Sequence, residues 1–171
     1  MGMNEAAETR TGAYSWIRFS EDKKSIFLPV PPEDDGKKEV TPLSGGFHTI
    51  SHGMLGIISG GVELGEDPKE ALVREADEER SLRVSPTQLT NSLPPLTVGQ
   101  IRGGKMVNFQ VSGYMLHATP ETRRNLQMVT PIIEVGDDAL ERFLLENMKM
   151  FRPLAYAIGY ELVHTGRIYR L

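Results

Sequence analysis

Three glutamates and one arginine are spaced so that they could do chemistry together. Glu75, Glu78 and Glu79 lie three and four residues apart, so on a helix their carboxylates project from one face. Like charges at such spacings destabilise a helix by roughly a few tenths of a kcal/mol per pair, and by more where water is excluded. A hard divalent cation would offset that repulsion, and Mg²⁺ typically combines a few carboxylates with waters and substrate phosphates. Arg74 is expected to reach back to Glu66 across the preceding loop in a two-pronged guanidinium contact, so that anchoring and metal binding fall to different residues. The bland alternative is a solvated helix face of Glu70, Asp77, Glu78 and Glu79, balanced by Lys69, Arg74 and Arg80.

The rest of the composition narrows the field. The chain has 171 residues, no cysteine and a net charge of -4. Its length suits one domain with a real core. Absence of cysteine removes disulfides, thiol catalysis and thiolate metal sites, leaving carboxylates and histidines as ligands. No apolar run approaches the length of a spanning helix, and the N-terminal stretch is polar, so a cytoplasmic protein without a membrane partner is expected. Mild acidity disfavours a stable nucleic-acid partner but not a phosphorylated small molecule, because a bound divalent cation reverses the local sign of a carboxylate pocket.

The acidic cluster needs a scaffold, and one can be traced along the chain. Residues 1–12 read as a flexible tail and residues 13–171 as a single domain. Ala13–Phe19 and Ser25–Val30 have strand character, the first with an undecided buried face, and 33–38 reads as a charged turn. Short strands are expected at Phe47–Ile50 and Met54–Ile58, before Gly60-Gly61. Asp67 as cap, Pro68 in the first turn and the stripe Ala71, Leu72 and Ala76 predict a helix over 68–82. Leu96–Arg102 and Lys105–Leu116 flank Gly103-Gly104 as a hairpin, with Pro94-Pro95 at the strand entrance. A strand at 132–135, a helix capped by Asp137 and a last helix from Pro153 to Gly166 complete the trace. The sum is an α+β sandwich with helices packed on a mixed sheet.

The stretch 60–82 resembles the Nudix box, G-x5-E-x7-R-E-U-x-E-E-x-G-U with U aliphatic. Gly60, Glu66, Arg74, Glu75, Glu78, Glu79 and Leu82 match it, and Ala76 is a small apolar residue at the first U. Ser81 stands where the family has its last glycine, a left-handed helix cap, and should cost about 1 kcal/mol of local stability there. The resemblance implies a Nudix-like α/β/α sandwich with a mixed central β-sheet. It also implies metal-dependent hydrolysis of a phosphoanhydride bond in a nucleoside diphosphate derivative. By position, the Gly60 carbonyl, Glu75, Glu78 and Glu79 would serve Mg²⁺, or Mn²⁺ in its place, with Glu66 and Arg74 as structural support. In the family the general base is a glutamate of this helix or of a later loop. Glu75 is therefore the first choice, with Glu121 as an extra ligand or base.

Other residues carry weaker signals. His48 and His52 precede the box and could approach a phosphate, while Tyr14, Trp16 and Phe47 could stack on a base or fill the core. A second reading keeps the fold as a catalytically weak or inactive nucleotide-binding sensor, favoured by Ser81 and by Ser59 where many relatives have proline. The isomerase branch of the superfamily in its usual form needs a cysteine that this chain lacks. A homodimer is the commonest assembly for such an enzyme.

Overall fold

In the computed structural model, which describes residues 7–31 and 36–170, nine strands and four helices follow one another along the chain. They are β1 (Glu8–Phe19), β2 (Lys24–Pro29), β3 (Lys38–Val40), β4 (His48–Thr49), β5 (Leu55–Gly56), β6 (Ile58–Gly61), α1 (Pro68–Arg80), β7 (Leu89–Arg102), β8 (Lys105–His117), α2 (Pro120–Val129), β9 (Ile133–Gly136), α3 (Asp137–Glu146) and α4 (Pro153–His164).

The question of which face of β1 is buried has a simple answer: both are. Tyr14 and Trp16 enter one core, with Phe27, Leu140, Leu144, Leu154 and Ile158. Ala13, Ile17 and Phe19 enter the other, with Ile58, Leu72, Ala76, Leu82 and Leu126. One sheet is thus covered by α1 and α2 on one face and by α3 and α4 on the other, the α/β/α sandwich expected. The sheet runs β4-β3-β7-β8-β1-β2-β5, with β6 also on β1 and β9 on β2. It is mixed, because β1 and β8 are parallel while β7 and β8 form the antiparallel hairpin around Gly103-Gly104.

Several boundaries differ from the sequence trace, each for a local reason. β1 begins at Glu8 rather than Ala13, because the polar residues 8–12 pair with Val107–Val111 while their side chains stay mostly in solvent. Of the expected tail, residues 1–6 lie outside the described residues, as do residues 32–35 of the charged turn. Lys38, assigned to that turn, opens β3 and pairs with Ile101. β7 starts at Leu89 and runs through Pro94-Pro95, whose missing N–H groups fall where the register shifts, between Leu93 and Leu96. The sequence trace lacks α2 because only Thr122 and Leu126 are buried on it, too thin a stripe to show a period. Gly136, not Asp137, caps α3; the Asp137 carboxylate instead accepts a hydrogen bond from buried Arg18 at 2.6 Å. Among the described residues, no helix is long and apolar enough to cross a membrane.

One close approach fixes the distance between α4 and the sheet. Gly159 faces Trp16 so tightly that a Cβ there would stand 2.8 Å from the indole and 3.0 Å from Leu144. Trp16 has little room to yield, being buried and donating from Nε1 to Ser25 at 3.2 Å. Alanine is worth about 1 kcal/mol over glycine in a helix, but overpacking typically costs about 1–3 kcal/mol. Gly159→Ala should therefore lower the free energy of unfolding by about 1 kcal/mol in a urea titration, and Gly159→Val by more.

Candidate functional site

The loop from β6 to α1 has few backbone bonds of its own, and its shape is set by Arg74. The guanidinium donates from Nε to Glu66 Oε1 at 3.0 Å and from Nη2 to Glu66 Oε2 at 3.1 Å, the fork expected from the spacing. Nη2 also donates to the Gly61 carbonyl at 2.9 Å, a contact with no sequence signal. Glu66 Oε2 in turn accepts the Glu63 N–H at 2.8 Å. Asp67 caps α1 by accepting the Lys69 N–H at 2.8 Å. The Arg74 hydrogen bonds, with the Glu63 N–H behind them, hold the Glu66 carboxyl below the ordinary carboxylate range. Glu66 raises the guanidinium pKa in return.

The three helix glutamates do not share one environment. Glu75 is largely enclosed, its side chain 16% exposed, whereas that of Glu78 is 60% exposed. Burial pushes the Glu75 carboxyl above its usual value, against the opposing pull of its hydrogen bond from Arg74. Arg74 Nη1 stands 2.9 Å from Glu75 Oε1 and 3.4 Å from Glu78 Oε2. The expected anchor, Arg74 on Glu66, is in place, and the same guanidinium also touches Glu75 and Glu78. Among the described residues, no three carboxylate or imidazole side chains converge closely enough to ligate one ion. The chemistry of the donors nonetheless suits a hard cation: the Glu75 carboxylate packs against Gly60 in the space that a side chain there would fill.

A cavity of about 810 Å³ opens beside these groups, lined by Gly60, Glu66, Arg74, Glu75 and Glu79 among others. The rest of its lining is cationic, with Lys37, Arg102 and Arg152 on the β3, β7 and α4 side, Gln100 and Phe109 against Arg102, and Arg10 on β1. Sequence reasoning missed this wall entirely, because its members come from β1, the segment before β3, β7 and the start of α4 and share no local pattern. Glu78 is not in the cavity lining, and neither is Glu121, which sits in the first turn of α2 rather than in a loop. His48 bonds the Ser44 carbonyl and His52 the Val30 carbonyl, both away from the cavity lining. Tyr14 and Trp16 are core residues, and Phe47 is an exposed side chain outside the cavity.

Ser81 ends α1 with φ 51° and ψ 32°, the left-handed conformation that glycine adopts freely. Its N–H donates to the Asp77 carbonyl at 2.8 Å and that of Leu82 to Ala76 at 3.1 Å, so the cap closes despite the Cβ. Ser81→Gly should raise the stability of the chain by about 0.5–1 kcal/mol, the relief of strain being partly offset by a freer unfolded chain. Chemical denaturation reads this directly, and unchanged stability would mean that the cap stores no strain.

No family model matches the chain, and no match is found among curated proteins. Among solved structures, the MutT protein from Methanosarcina mazei Go1 is 15% identical, over 96% of this chain and 99% of that one, with a TM-score of 0.50. The Escherichia coli ORF135 protein is 14% identical over 94% and 95% (TM-score 0.49), and a Nudix hydrolase from Nitrosomonas europaea 18% over 93% and 90% (TM-score 0.46). The sandwich, shared end to end with the MutT protein, together with the position of the box between β6 and the close of α1, makes this chain a Nudix-fold protein.

Proposed function

We propose that the chain is a metal-dependent hydrolase that cleaves a phosphoanhydride bond in a nucleoside diphosphate derivative. One observation carries the reading: a single cavity has the Glu75 and Glu79 carboxylates and Gly60 on one side and several cations on the other. A diphosphate is complementary to both walls once a divalent ion lies on the acidic one.

The Gly60 carbonyl, Glu75 and Glu79 are the groups of the lining that would hold Mg²⁺ or Mn²⁺, with Glu78 available from the adjoining turn of α1. Held there, the ion would supply charge neutralisation for the diphosphate and a lowered pKa for the attacking water. Glu75 is the first-choice general base, since it stands inside the cavity beside Gly60. It takes the proton of the water that attacks phosphorus, the anhydride P–O bond breaks, and two phosphorylated products leave. Arg74 and Glu66 position the helix against the loop. The cations opposite fix the remaining charge of the substrate, so that orientation and electrostatics supply much of the rate.

A sensor without useful turnover has one observation in its favour. Arg74 Nη1 donates to Glu75 at 2.9 Å and to Glu78 at 3.4 Å, so the protein itself offsets part of the repulsion on α1.

The two readings separate in one assay, in which nucleoside triphosphates, ADP-ribose, nucleotide sugars, dinucleoside polyphosphates and NADH are incubated with Mg²⁺, with Mn²⁺ and with EDTA. Phosphate is measured with and without added phosphatase. Release that needs the metal and falls to background in Glu79→Gln, with the circular dichroism of the fold unchanged, is the expected result. Silence across the panel from folded protein would favour the sensor.

A further inference from the structure

The strongest unexplained feature outside the carboxylate helix is a carboxylate buried on the opposite wall. Glu39 in β3 has no exposed surface. Its Oε2 accepts from Arg152 Nε at 3.1 Å and from Gln100 Nε2 at 3.1 Å, and it is ion-paired with Arg152 Nη2 at 3.1 Å. Its Oε1 accepts the N–H of Leu154, in the first turn of α4, at 2.8 Å. The other end of Gln100 accepts from Arg102 Nε at 2.9 Å, and the Arg102 guanidinium lies 5.0 Å over the ring of Phe109. One buried charge thereby orients two arginines of the cavity, Arg152 directly and Arg102 through Gln100.

Stability alone does not account for this arrangement. Burying an ion pair is often no better than packing apolar groups of the same volume, whereas a fixed guanidinium is a rigid fork for carboxylate or phosphate. Fixing the cations in advance also removes the entropy that mobile arginines would lose on binding.

We propose that Glu39 is a positioning residue that holds Arg152 and Arg102 as a preformed anion subsite. The subsite takes a phosphate or carboxylate of the substrate remote from the groups held at the glutamate helix. This deepens the hydrolase reading of the same cavity, but its test does not depend on turnover. The subsite binds a polyanion without any divalent ion, which the glutamate wall cannot do.

Inorganic tripolyphosphate is titrated calorimetrically into the full chain in EDTA. Wild type is expected to bind with an affinity that weakens as salt is raised. Arg152→Gln and Arg102→Gln should each weaken binding about tenfold or more, the worth of a charge-assisted contact. Arg142→Gln, an equal change of net charge on the exposed face of α3, should leave binding unaltered. Glu39→Gln should weaken binding although it removes a negative charge beside the site, with partial recovery in Glu39→Asp. Should Glu39→Gln fail to fold, the two arginine variants decide the matter.

Binding that appears only with Mg²⁺, or that Arg142→Gln weakens as much as Arg152→Gln does, would overturn the subsite. Tripolyphosphate binding of the expected kind in a chain that hydrolyses nothing would retain the subsite and remove the hydrolase reading. Turnover whose KM is unmoved by Arg152→Gln and Arg102→Gln would retain hydrolysis and remove the subsite.

Discussion

The Arg74 guanidinium is the contact on which the acidic half of the molecule depends. A loop of glycine and glutamate between a strand and a helix has little to hold it, and a lysine ammonium could not reach Glu66 twice and the Gly61 carbonyl as well. The planar fork does both while leaving Nη1 against Glu75. Glu66 has its carboxyl pKa depressed by that contact. Its contribution to stability is therefore present above the ordinary carboxylate range and is lost as pH falls through the lowered value. The same cation sits amid the carboxylates whose repulsion would otherwise unwind the turn.

The cavity sets two solutions to one electrostatic problem side by side. On the α1 side, carboxylates are gathered around an arginine; on the β3 and α4 side, one arginine directly and a second through Gln100 are held by a carboxylate. In each case the minority charge is the organiser and the majority charge is presented to the cavity. β1 and β8 lie between the two sides in the sheet and form a floor: their parallel pairing keeps Gly12 level with Val111, and the antiparallel pairing of β1 with β6 keeps it level with Gly61.

What could be read from the sequence was what is encoded locally. Asp67, Pro68 and the Ala71, Leu72 and Ala76 stripe delimit α1 within a turn, and the spacing of Glu66 and Arg74 foretold their fork, because such signals act over a few residues. Gly103-Gly104 fixed the hairpin in the same way. α2 escaped because its buried stripe is two residues wide, and the strand through Pro94-Pro95 escaped because proline argues against a central strand unless a register shift receives it. Glu39 directly follows the charged run 33–38, and nothing near it in the chain announces Arg152 or Gln100. A buried charge is legible only once its partner is placed, and this partner is 113 residues away.

That separation has a bearing on how the molecule comes to be folded. The glutamate wall closes within a short stretch of chain and can organise as soon as α1 forms on β6. The Glu39 to Arg152 link must wait for the closure of a loop spanning most of the protein, and such non-local contacts are the slow ones. A chain arrested before that closure would carry an assembled acidic helix facing a wall that does not yet exist. On the subsite proposed above, the grip on a polyanion therefore rests on contacts made across most of the chain, and it is lost when α4 lifts from the sheet.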